Sequence, residues 1–440
     1  MSSKAIILDL DDTIFATQQC KPYLRTGAGR AVIPSLIAQG TISVLEMHYG
    51  IVSYINSLIK NDIDVYVFSD SPAEYCLAVL KKGGVNIDES NIFGSQHKPI
   101  VDNNWVFGAH DNFLVIGDSP KDIYFAHLKK CPSILLANIG QAQKDFYSKW
   151  TKPSAICTNV SELIAVTKRF LSDDLVFEEN DFKGMYLTVN SQGADIFSIP
   201  SENIGNAFEY WPNSADWNGV EQRKITWFDV KRSIKVAKEL TKEEIEKSDK
   251  VTFYNNNTTI GAGKAFKAIM WVYFQEFKKW AIGKGLKGTV YIVPTPPSVP
   301  MECNKSFPIL ILAEWWGKYG YHAYNEKELD FSLQLLYAVE RYWPTTPAHM
   351  SNGRREVRPH LETLGVYKSI NAKDAAAVVI IDDIVTSGTQ MNAVATMLVE
   401  TGVVKEDVPI YGYALARTTR PGADVTELLR LFSASEKAGA

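Results

Sequence analysis

The sequence predicts an α/β protein built from two doubly wound, parallel-sheet domains. Short apolar runs that end in polar loops occur in both halves of the chain, and helical patterns lie between them. Parallel strands require such long crossovers, whereas hairpins do not. With 440 residues, 46% of them hydrophobic, the chain is too long for one ordinary core and apolar enough to bury two.

The first domain is predicted over residues 1–172. Three apolar runs have the length and the abrupt polar ending of buried parallel strands. These runs are Lys4–Leu8, Asp64–Phe68 and Phe113–Ile116. Helical patterns around Val44–Ile59 and Pro72–Lys82 supply the crossovers.

A connecting segment is predicted over residues 173–225, where the apolar periodicity weakens. Asn, Ser, Gly and Pro interrupt this stretch, which is also rich in aromatic residues. The aromatic residues are Tyr186, Phe208, Tyr210, Trp211 and Trp217. They could stack on nucleic-acid bases, but we interpret them as packing against one of the domains, because aromatic residues dominate ordinary core and interface area.

The second domain is predicted over residues 226–440 and repeats the same pattern. Its predicted strands are Gly288–Val293, Ala376–Ile381 and Pro409–Ala416, and its predicted helices are Gly263–Trp280 and Phe307–Trp316. Each strand again ends in a polar or Pro-rich loop. Ligands of open parallel sheets bind at the carboxyl ends of the strands, so both domains are expected to carry a site there.

Charge and cysteine content exclude several classes of protein. The formal net charge of −4 gives no excess positive potential for sequence-independent nucleic-acid binding. Five widely spaced cysteines without a C-x-x-C pair argue against a disulfide framework and a thiolate zinc site. The first apolar run, Ala5–Leu8, is too short for a signal peptide or a membrane span. We therefore expect a cytoplasmic protein without membrane partners. Whether it forms a homodimer is left open by the sequence.

The run Ile6–Thr13 places two carboxylates, Asp9 and Asp11, two residues apart at the end of a predicted strand. With this spacing Asp9 can attack phosphorus while Asp11 protonates the leaving oxygen and later deprotonates water. An anionic ester attacked by a carboxylate needs positive charge nearby. Asp118 and Asp122, which follow the third predicted strand, are hard oxygen ligands suited to Mg²⁺.

These residues resemble the four motifs of the haloacid dehalogenase superfamily, in the order that the superfamily has them. The resemblance implies a Rossmann-like phosphatase acting on a small-molecule phosphate ester, with Asp9 as nucleophile and Asp11 as acid/base. The other implied residues are Thr13 and Ser69 as phosphate ligands, Lys98 as a catalytic cation, and Asp9, Asp11, Asp118 and Asp122 as the Mg²⁺ site. Lys121 is an alternative to Lys98.

Both gaps in which this superfamily inserts a cap domain are short here. Residues Phe15–Thr41 could form only a small lid, and Pro72–His97 has room for about one helix. The sequence therefore predicts a minimal cap. Such a site suits a bulky substrate, or one that the second domain covers.

A second candidate site lies in the run Val378–Thr389. Two acids, Asp382 and Asp383, follow a buried strand and precede a loop of small residues that opens a helix. Backbone N–H groups and hydroxyls of such a loop can hold a phosphate, and the carboxylates can bind ribose hydroxyls. No Lys follows Gly388, so a Walker-type loop is excluded.

The run resembles the phosphoribosyl-pyrophosphate (PRPP) signature of type I phosphoribosyltransferases. The resemblance implies Asp382 and Asp383 on the ribose diol and Thr386, Ser387, Gly388 and Thr389 around the 5′-phosphate. It also implies a pyrophosphate loop at Pro294 and Thr295 and a mobile basic loop at Arg354 and Arg355. The segment Ala414–Arg420 is similar to relatives of the competence protein ComF.

Together the two resemblances suggest a bifunctional enzyme that transfers a phosphoribosyl group from PRPP to a base-like acceptor and removes the resulting 5′-phosphate. Two alternatives stay open. The second domain could be a sensor of PRPP or a nucleotide that gates the phosphatase, or the pair could deplete nucleotides in phage defence.

Overall fold

The computed structural model describes residues 3–24, 27–101, 104–137, 152–181, 183–210, 254–255, 258–259, 263–304, 306–345 and 356–418. In this part of the chain two parallel sheets form, one in each half, and helices cover them. The predicted α/β class with two parallel-sheet units is confirmed.

The described part of the first half contains eight strands. They are β1 (Lys4–Leu8), β2 (Phe15–Ala16), β3 (Leu45–Glu46), β4 (Asp64–Phe68), β5 (Ile92–Phe93), β6 (Asn112–Gly117), β7 (Ser133–Leu136) and β8 (Ala155–Cys157). Six of them form a parallel sheet in the order β5-β4-β1-β6-β7-β8, while β2 and β3 pair antiparallel beside it. The central position of β1 places its carboxyl end between those of β4 and β6.

The helices that the structure describes in this half cover both faces of the sheet. They are α1 (Lys21–Leu24), α2 (Gly27–Ala38), α3 (Ile51–Lys60), α4 (Ala73–Gly83), α5 (Asn104–Ala109), α6 (Pro120–Leu128) and α7 (Val160–Leu171). Successive residues of β1 enter opposite cores: Ile6 and Leu8 pack in the core with α3 and α4, whereas Ala5 and Ile7 pack in the core with α5 and α6. This alternation is the doubly wound arrangement.

The second half contains ten described strands. They are β9 (Tyr186–Leu187), β10 (Ile204–Tyr210), β11 (Tyr254–Asn255), β12 (Thr258–Thr259), β13 (Gly288–Pro294), β14 (Phe331–Leu335), β15 (Val339–Arg341), β16 (Leu364–Tyr367), β17 (Ala377–Val385) and β18 (Ile410–Thr418). Five form a parallel sheet in the order β10-β18-β17-β13-β14. A separate antiparallel sheet has the order β15-β16-β9.

Helices also pack on both faces of this second sheet. The described helices are α8 (Gly263–Gly283), α9 (Pro308–Asn325), α10 (Arg358–Leu361) and α11 (Thr389–Glu400). Val379 and Ile381 of β17 join a core with α8 and α9, while Val378 and Ile380 join a core with α11. Among the described helices, none is long and apolar enough to cross a membrane.

Two stretches differ from the sequence-based expectation. The predicted connecting segment 173–225 contains β9 and β10, which pair with β16 and β18 of the second half. Residues 211–225, with Trp211 and Trp217, lie outside the described residues, so the domain limits stay a prediction. The helix expected from Val44 begins at Ile51 instead, because Leu45–Glu46 pairs with β2 and Gly50 has a φ of 86°.

The two halves contact each other beside the carboxyl ends of the first sheet. A short 3₁₀ turn, Met301–Cys303, follows β13 and contacts α6. The Tyr124 ring of α6 meets Trp343 edge to face, with 6.4 Å between ring centroids. Tyr124 is buried, so this is a packed contact rather than a surface one.

Candidate active site

The predicted motif residues converge at the carboxyl ends of three adjacent strands. Asp9 follows β1, Ser69 follows β4, and Asp118 follows β6. Parallel pairing of β4, β1 and β6 places these ends at one edge of the sheet. Lys98 reaches the same point from the loop after β5, so residues far apart in sequence meet in one buried cluster.

Asp9 has the surroundings expected of a buried nucleophile. Its carboxylate accepts hydrogen bonds from Lys98 Nζ at 2.5 Å and from Thr13 Oγ1 at 3.0 Å. Burial raises the pKa of Asp9 well above its usual value, and Lys98 opposes that shift. The lysine therefore helps to keep Asp9 ionised, which nucleophilic attack requires.

The structure brings Lys98, rather than Lys121, into contact with Asp9. Lys98 Nζ also lies 2.5 Å from Asp122 Oδ1, and its side chain is buried. Burial alone would lower the pKa of Lys98. The negative charges of Asp122 and Asp9 raise that pKa by more than burial lowers it, so the net shift is upward. Lys121 instead pairs with Asp70 at 3.0 Å, at the more exposed rim of the site.

The Asp11 carboxylate is held by three hydroxyls. Tyr75 OH donates at 2.6 Å, Ser71 Oγ at 2.7 Å and Ser69 Oγ at 3.3 Å. The sequence did not predict Tyr75 or Ser71 as site residues, because neither belongs to a recognisable motif. Their position just after Ser69, at the start of α4, is the only sequence signal that could have pointed to them.

Three carboxylates are arranged as a metal ion would need them. Ligand oxygens of Asp9, Asp118 and Asp122 lie within 4.8 Å of one another. Burial raises the pKa of Asp118 to about 7, and Asp122 adds to the effect. The Lys98 ammonium is close to these three carboxylates and cannot balance all of their negative charge. The cluster offers only oxygen ligands, which is the donor set that Mg²⁺ prefers. The Asp11 carboxylate is outside this group, since the three hydroxyls hold it.

Asp122 is positioned by the first turn of α6. Ser119 and Asp122 form a capping box, in which Asp122 Oδ2 accepts from the Ser119 backbone N–H at 3.2 Å. The same oxygen also accepts from Ser119 Oγ at 2.7 Å. Gly117 allows this approach, because a Cβ there would lie 2.2 Å from the Asp122 carboxyl carbon. The Ser-x-x-Asp spacing is readable from the sequence, whereas the close contact with Gly117 is not.

The second predicted site differs from expectation in where its acids lie. Asp382 and Asp383 are inside β17, which continues to Val385 by pairing with β18. Burial and the neighbouring Asp383 raise the pKa of Asp382 well above its usual value, and a hydrogen bond from the Thr295 side chain opposes this. Asp382 and Thr295, the first residue after β13, therefore interact.

The loop Pro294–Ser298 is fixed from several sides. Arg341 Nε donates to Pro297 O at 2.5 Å, Gln390 Nε2 donates to Pro296 O, and Thr345 N donates to Ser298 O at 2.8 Å. Arg341 is buried, and sequence reasoning missed it because it lies in a short strand without a recognisable motif.

The small-residue loop after β17 has exposed hydroxyls. Thr386 Oγ1 lies 3.0 Å from Thr418 Oγ1, and Ser387 Oγ lies 2.8 Å from Thr389 Oγ1. Gly388, with φ of 73°, precedes α11. Arg354 and Arg355 lie outside the described residues, so their assignment stays a prediction.

Comparisons with known proteins give similarity to hydrolases over part of the chain. A hydrolase from Pseudomonas syringae is 16% identical, with 38% of this chain and 99% of that chain covered and a TM-score of 0.29. A phosphoserine phosphohydrolase-like protein from Francisella tularensis subsp. tularensis SCHU S4 is 19% identical over 37% and 99%, with a TM-score of 0.26. Cytosolic 5′-nucleotidase IIIB bound to cytidine is 11% identical over 39% and 87%, with a TM-score of 0.29. No protein-family profile and no curated protein matches the chain.

Proposed function

We propose that the first domain is a Mg²⁺-dependent phosphatase that hydrolyses phosphomonoesters through an aspartyl-phosphate on Asp9. The observation that carries the proposal is a pair of carboxylates with different partners. Asp9 is buried in contact with Lys98 and Thr13. Asp11, two residues later in the chain, is held by other groups, among them Tyr75. A structural ion pair alone would need neither the second carboxylate nor its three hydroxyl donors.

The proposed reaction has two balanced steps. An Asp9 carboxylate oxygen attacks phosphorus, the ester P–O bond breaks, and Asp11 gives its proton to the leaving oxygen. Asp11 then takes a proton from water, whose oxygen attacks the phosphorus of the aspartyl-phosphate. The bond between Asp9 and phosphorus breaks, inorganic phosphate leaves, and both carboxyl groups return to their starting states.

The remaining residues stabilise charge. Lys98 and Thr13 hold the Asp9 carboxylate in place, and the Lys98 ammonium offsets negative charge next to the phosphoryl group. Mg²⁺, when bound by Asp9, Asp118 and Asp122, would neutralise phosphoryl oxygens and orient them. Ser69 adds a hydroxyl donor beside Asp11.

Phosphate release from a panel of phosphomonoesters tests this proposal. We expect release that needs Mg²⁺, stops with a chelator and returns when Mg²⁺ is added back. Acid quenching during turnover of a ³²P-labelled substrate should trap phosphate on the protein as an acyl phosphate. Release that continues unchanged in chelator, or labelled protein from an Asp9→Asn variant, would contradict the assignment.

For the second domain we propose PRPP-dependent transfer of a phosphoribosyl group to a base-like acceptor. Support comes from the interaction of Asp382 with Thr295 and from the hydrogen bond that Gln390, in the first turn of α11, donates to Pro296 O. Incubation with PRPP, Mg²⁺ and a panel of bases should release pyrophosphate. An absence of release with every acceptor would count against transfer.

One observation favours a second candidate, in which the second domain senses PRPP and gates the phosphatase. The segment Pro294–Cys303 runs from the proposed pyrophosphate loop directly to the turn that contacts α6, the helix that carries Asp122. Gating predicts that PRPP changes the phosphatase rate and is recovered intact. Transfer predicts that PRPP is consumed.

A further inference from the structure

Lys98, which contacts Asp9, lies in a loop after β5 whose backbone is strained. Ser95 and His97 of this loop have positive φ values of 55° and 56°. This left-handed conformation is disfavoured for residues that carry a Cβ, so the loop would relax if nothing outside it held it. Contacts from neighbouring elements must therefore keep the loop in the conformation that directs Lys98 towards Asp9.

The loop after β4 supplies two such contacts through its backbone. Ser95 N donates a hydrogen bond to Ser71 O at 2.7 Å, and Gln96 N donates to Ser69 O at 3.0 Å. These two bonds join main-chain atoms, so they do not depend on which side chains are present. They hold the loop as far as Gln96, two residues before the lysine.

The side chain of Asp70 holds the loop at the lysine itself. Asp70 Oδ1 accepts a hydrogen bond from the Lys98 backbone N–H at 2.7 Å, and Asp70 Oδ2 accepts from Lys121 Nζ at 3.0 Å. Burial would raise the pKa of Asp70, but the charges of Lys121 and Lys98 lower that pKa by more, so the net shift is downward. Asp70 therefore stays ionised, and an ionised acceptor makes a stronger hydrogen bond than a neutral one.

Lys98 is thus held at both of its ends. Its ammonium contacts Asp9 and Asp122, each at 2.5 Å, while its backbone N–H is bound by Asp70. Lys121, the partner of Asp70, directly precedes Asp122 in the first turn of α6. The contacts therefore close a ring that joins the loops after β4 and β5 to the start of α6.

We propose that Asp70 is a positioning residue of the phosphatase site, which sets the place of the Lys98 ammonium by holding the Lys98 backbone N–H. This inference rests on the proposed phosphatase function and adds a residue to that site. Lys121 serves as the counter-ion of Asp70. A displaced ammonium stabilises the charge of the transition state less well, so kcat should suffer more than KM.

Steady-state kinetics of the full chain with Mg²⁺ tests the proposal, with p-nitrophenyl phosphate, ribose 5-phosphate and AMP as substrates. For the ester that the wild type hydrolyses fastest, Asp70→Ala should lower kcat about thirtyfold and change KM less than about threefold. Asp70→Asn keeps a side-chain oxygen that can accept from the Lys98 N–H, so it should lose less than about fivefold. Lys121→Met leaves the acceptor in place and should lose no more than Asp70→Asn.

Asp88→Ala is the matched control. Asp88 Oδ1 also accepts a backbone N–H, that of Ser90, at 2.8 Å, but it lies before the start of β5 rather than after its end. We expect wild-type kcat in this variant. The Asp70 and Lys121 side chains are 36% and 34% exposed, so shortening either leaves no buried cavity, and circular dichroism melting should find all variants folded.

A double variant separates positioning from a general effect on structure. If Asp70 acts through Lys98, then Asp70→Ala should add less than about twofold to the loss that Lys98→Met causes alone. If Asp70 acts elsewhere, the two losses should multiply.

The outcomes distinguish the two proposals. No Mg²⁺-dependent hydrolysis of any of the three esters by the wild type would overturn the phosphatase function itself. Wild-type hydrolysis with an unchanged kcat in Asp70→Ala, or with equal losses in the Ala and Asn variants, would overturn only the role of Asp70. Multiplied losses in the double variant, or a loss in Asp88→Ala as large as in Asp70→Ala, would also overturn that role.

Discussion

At the scale of single residues, Asp9, the proposed nucleophile, differs from the neighbouring aspartates in its contacts and not in its residue type. The loop after β1 contains three aspartates within four residues, Asp9, Asp11 and Asp12. Of these three, Asp9 is the one that contacts Lys98. Asp12 instead pairs with Lys21 at 2.7 Å, on the outer side of the loop. Three similar carboxylates therefore have three different surroundings, which sequence alone cannot distinguish.

We expect Asp9→Asn to lower kcat for phosphate release by at least about a thousandfold, because an amide cannot form the covalent intermediate. Asp12→Asn is the matched control in the same loop. Asn tolerates the positive φ of 60° at this position, so the control should fold. Equal losses in both variants would show that the loop, rather than the nucleophile, had been damaged.

Tyr75→Phe is expected to lower kcat about tenfold while leaving the fold intact. The change removes one hydrogen bond to a charged carboxylate, which contributes about 1.5 kcal/mol. Two hydroxyl donors still hold Asp11, so activity should not vanish. Tyr66→Phe is the control, since its hydroxyl contacts His110 rather than the site. A Tyr75→Phe enzyme with wild-type kcat would remove Tyr75 from the mechanism.

At the scale of elements, the placement of α6 against β6 fixes where Asp122 lies in the carboxylate cluster with Asp9 and Asp118. Gly117→Ala puts a methyl group into the Asp122 carboxyl group, so α6 must shift. We expect a loss of about 1–3 kcal/mol in stability and a weaker Mg²⁺ dependence. Isothermal titration with Mg²⁺ and thermal melting measure both. Gly108→Ala is the control: it lies in α5 with nothing within 4 Å of the added Cβ, and should stabilise slightly.

The second unit contains a histidine that makes its stability depend on pH. Burial and then Arg341 lower the pKa of His360 to about 4. The unfolded chain, with a pKa near its ordinary value of about 6.5, binds the proton more tightly, so stability falls as pH drops from about 6.5 through 4. Between pH 7 and 5 we expect a loss of about 2 kcal/mol by chemical denaturation. His360→Asn should flatten this dependence; an unchanged slope would assign it to other groups.

Elements defined by local pattern could be predicted, and those defined by distant pairing could not. Strands β1, β4 and β6 match within a residue or so because each is a continuous buried run. β17 extends beyond Ile381, since Asp382–Val385 still pairs with β18. The sequence predicts a connecting segment where β10 lies, because Asn, Ser, Gly and Pro interrupt the apolar periodicity there; the strand is visible only through its pairing with β18. The contacts of Tyr75 and Arg341 likewise depend on residues distant in the sequence and could not be predicted from it.

At the scale of the whole molecule, two strand-end sites lie in one chain and a short segment joins them. The adjacent, partly buried carboxylates of Asp382 and Asp383 repel each other, so we expect the pair to lower the stability of the fold. We expect Asp382→Asn/Asp383→Asn to raise the melting temperature, by the equivalent of about 1 kcal/mol or more. Differential scanning calorimetry measures this.

The same double variant tests how far the two sites are independent. Pyrophosphate release from PRPP, or any effect of PRPP on the phosphatase, should be lost, while hydrolysis of p-nitrophenyl phosphate continues within about twofold. Glu406→Gln/Asp407→Asn is the matched control, an exposed acidic pair on the loop before β18. If the folded double variant instead loses phosphatase activity and the control does not, the charge state of β17 reaches α6 through Pro294–Cys303, and the two domains work as a single catalytic unit.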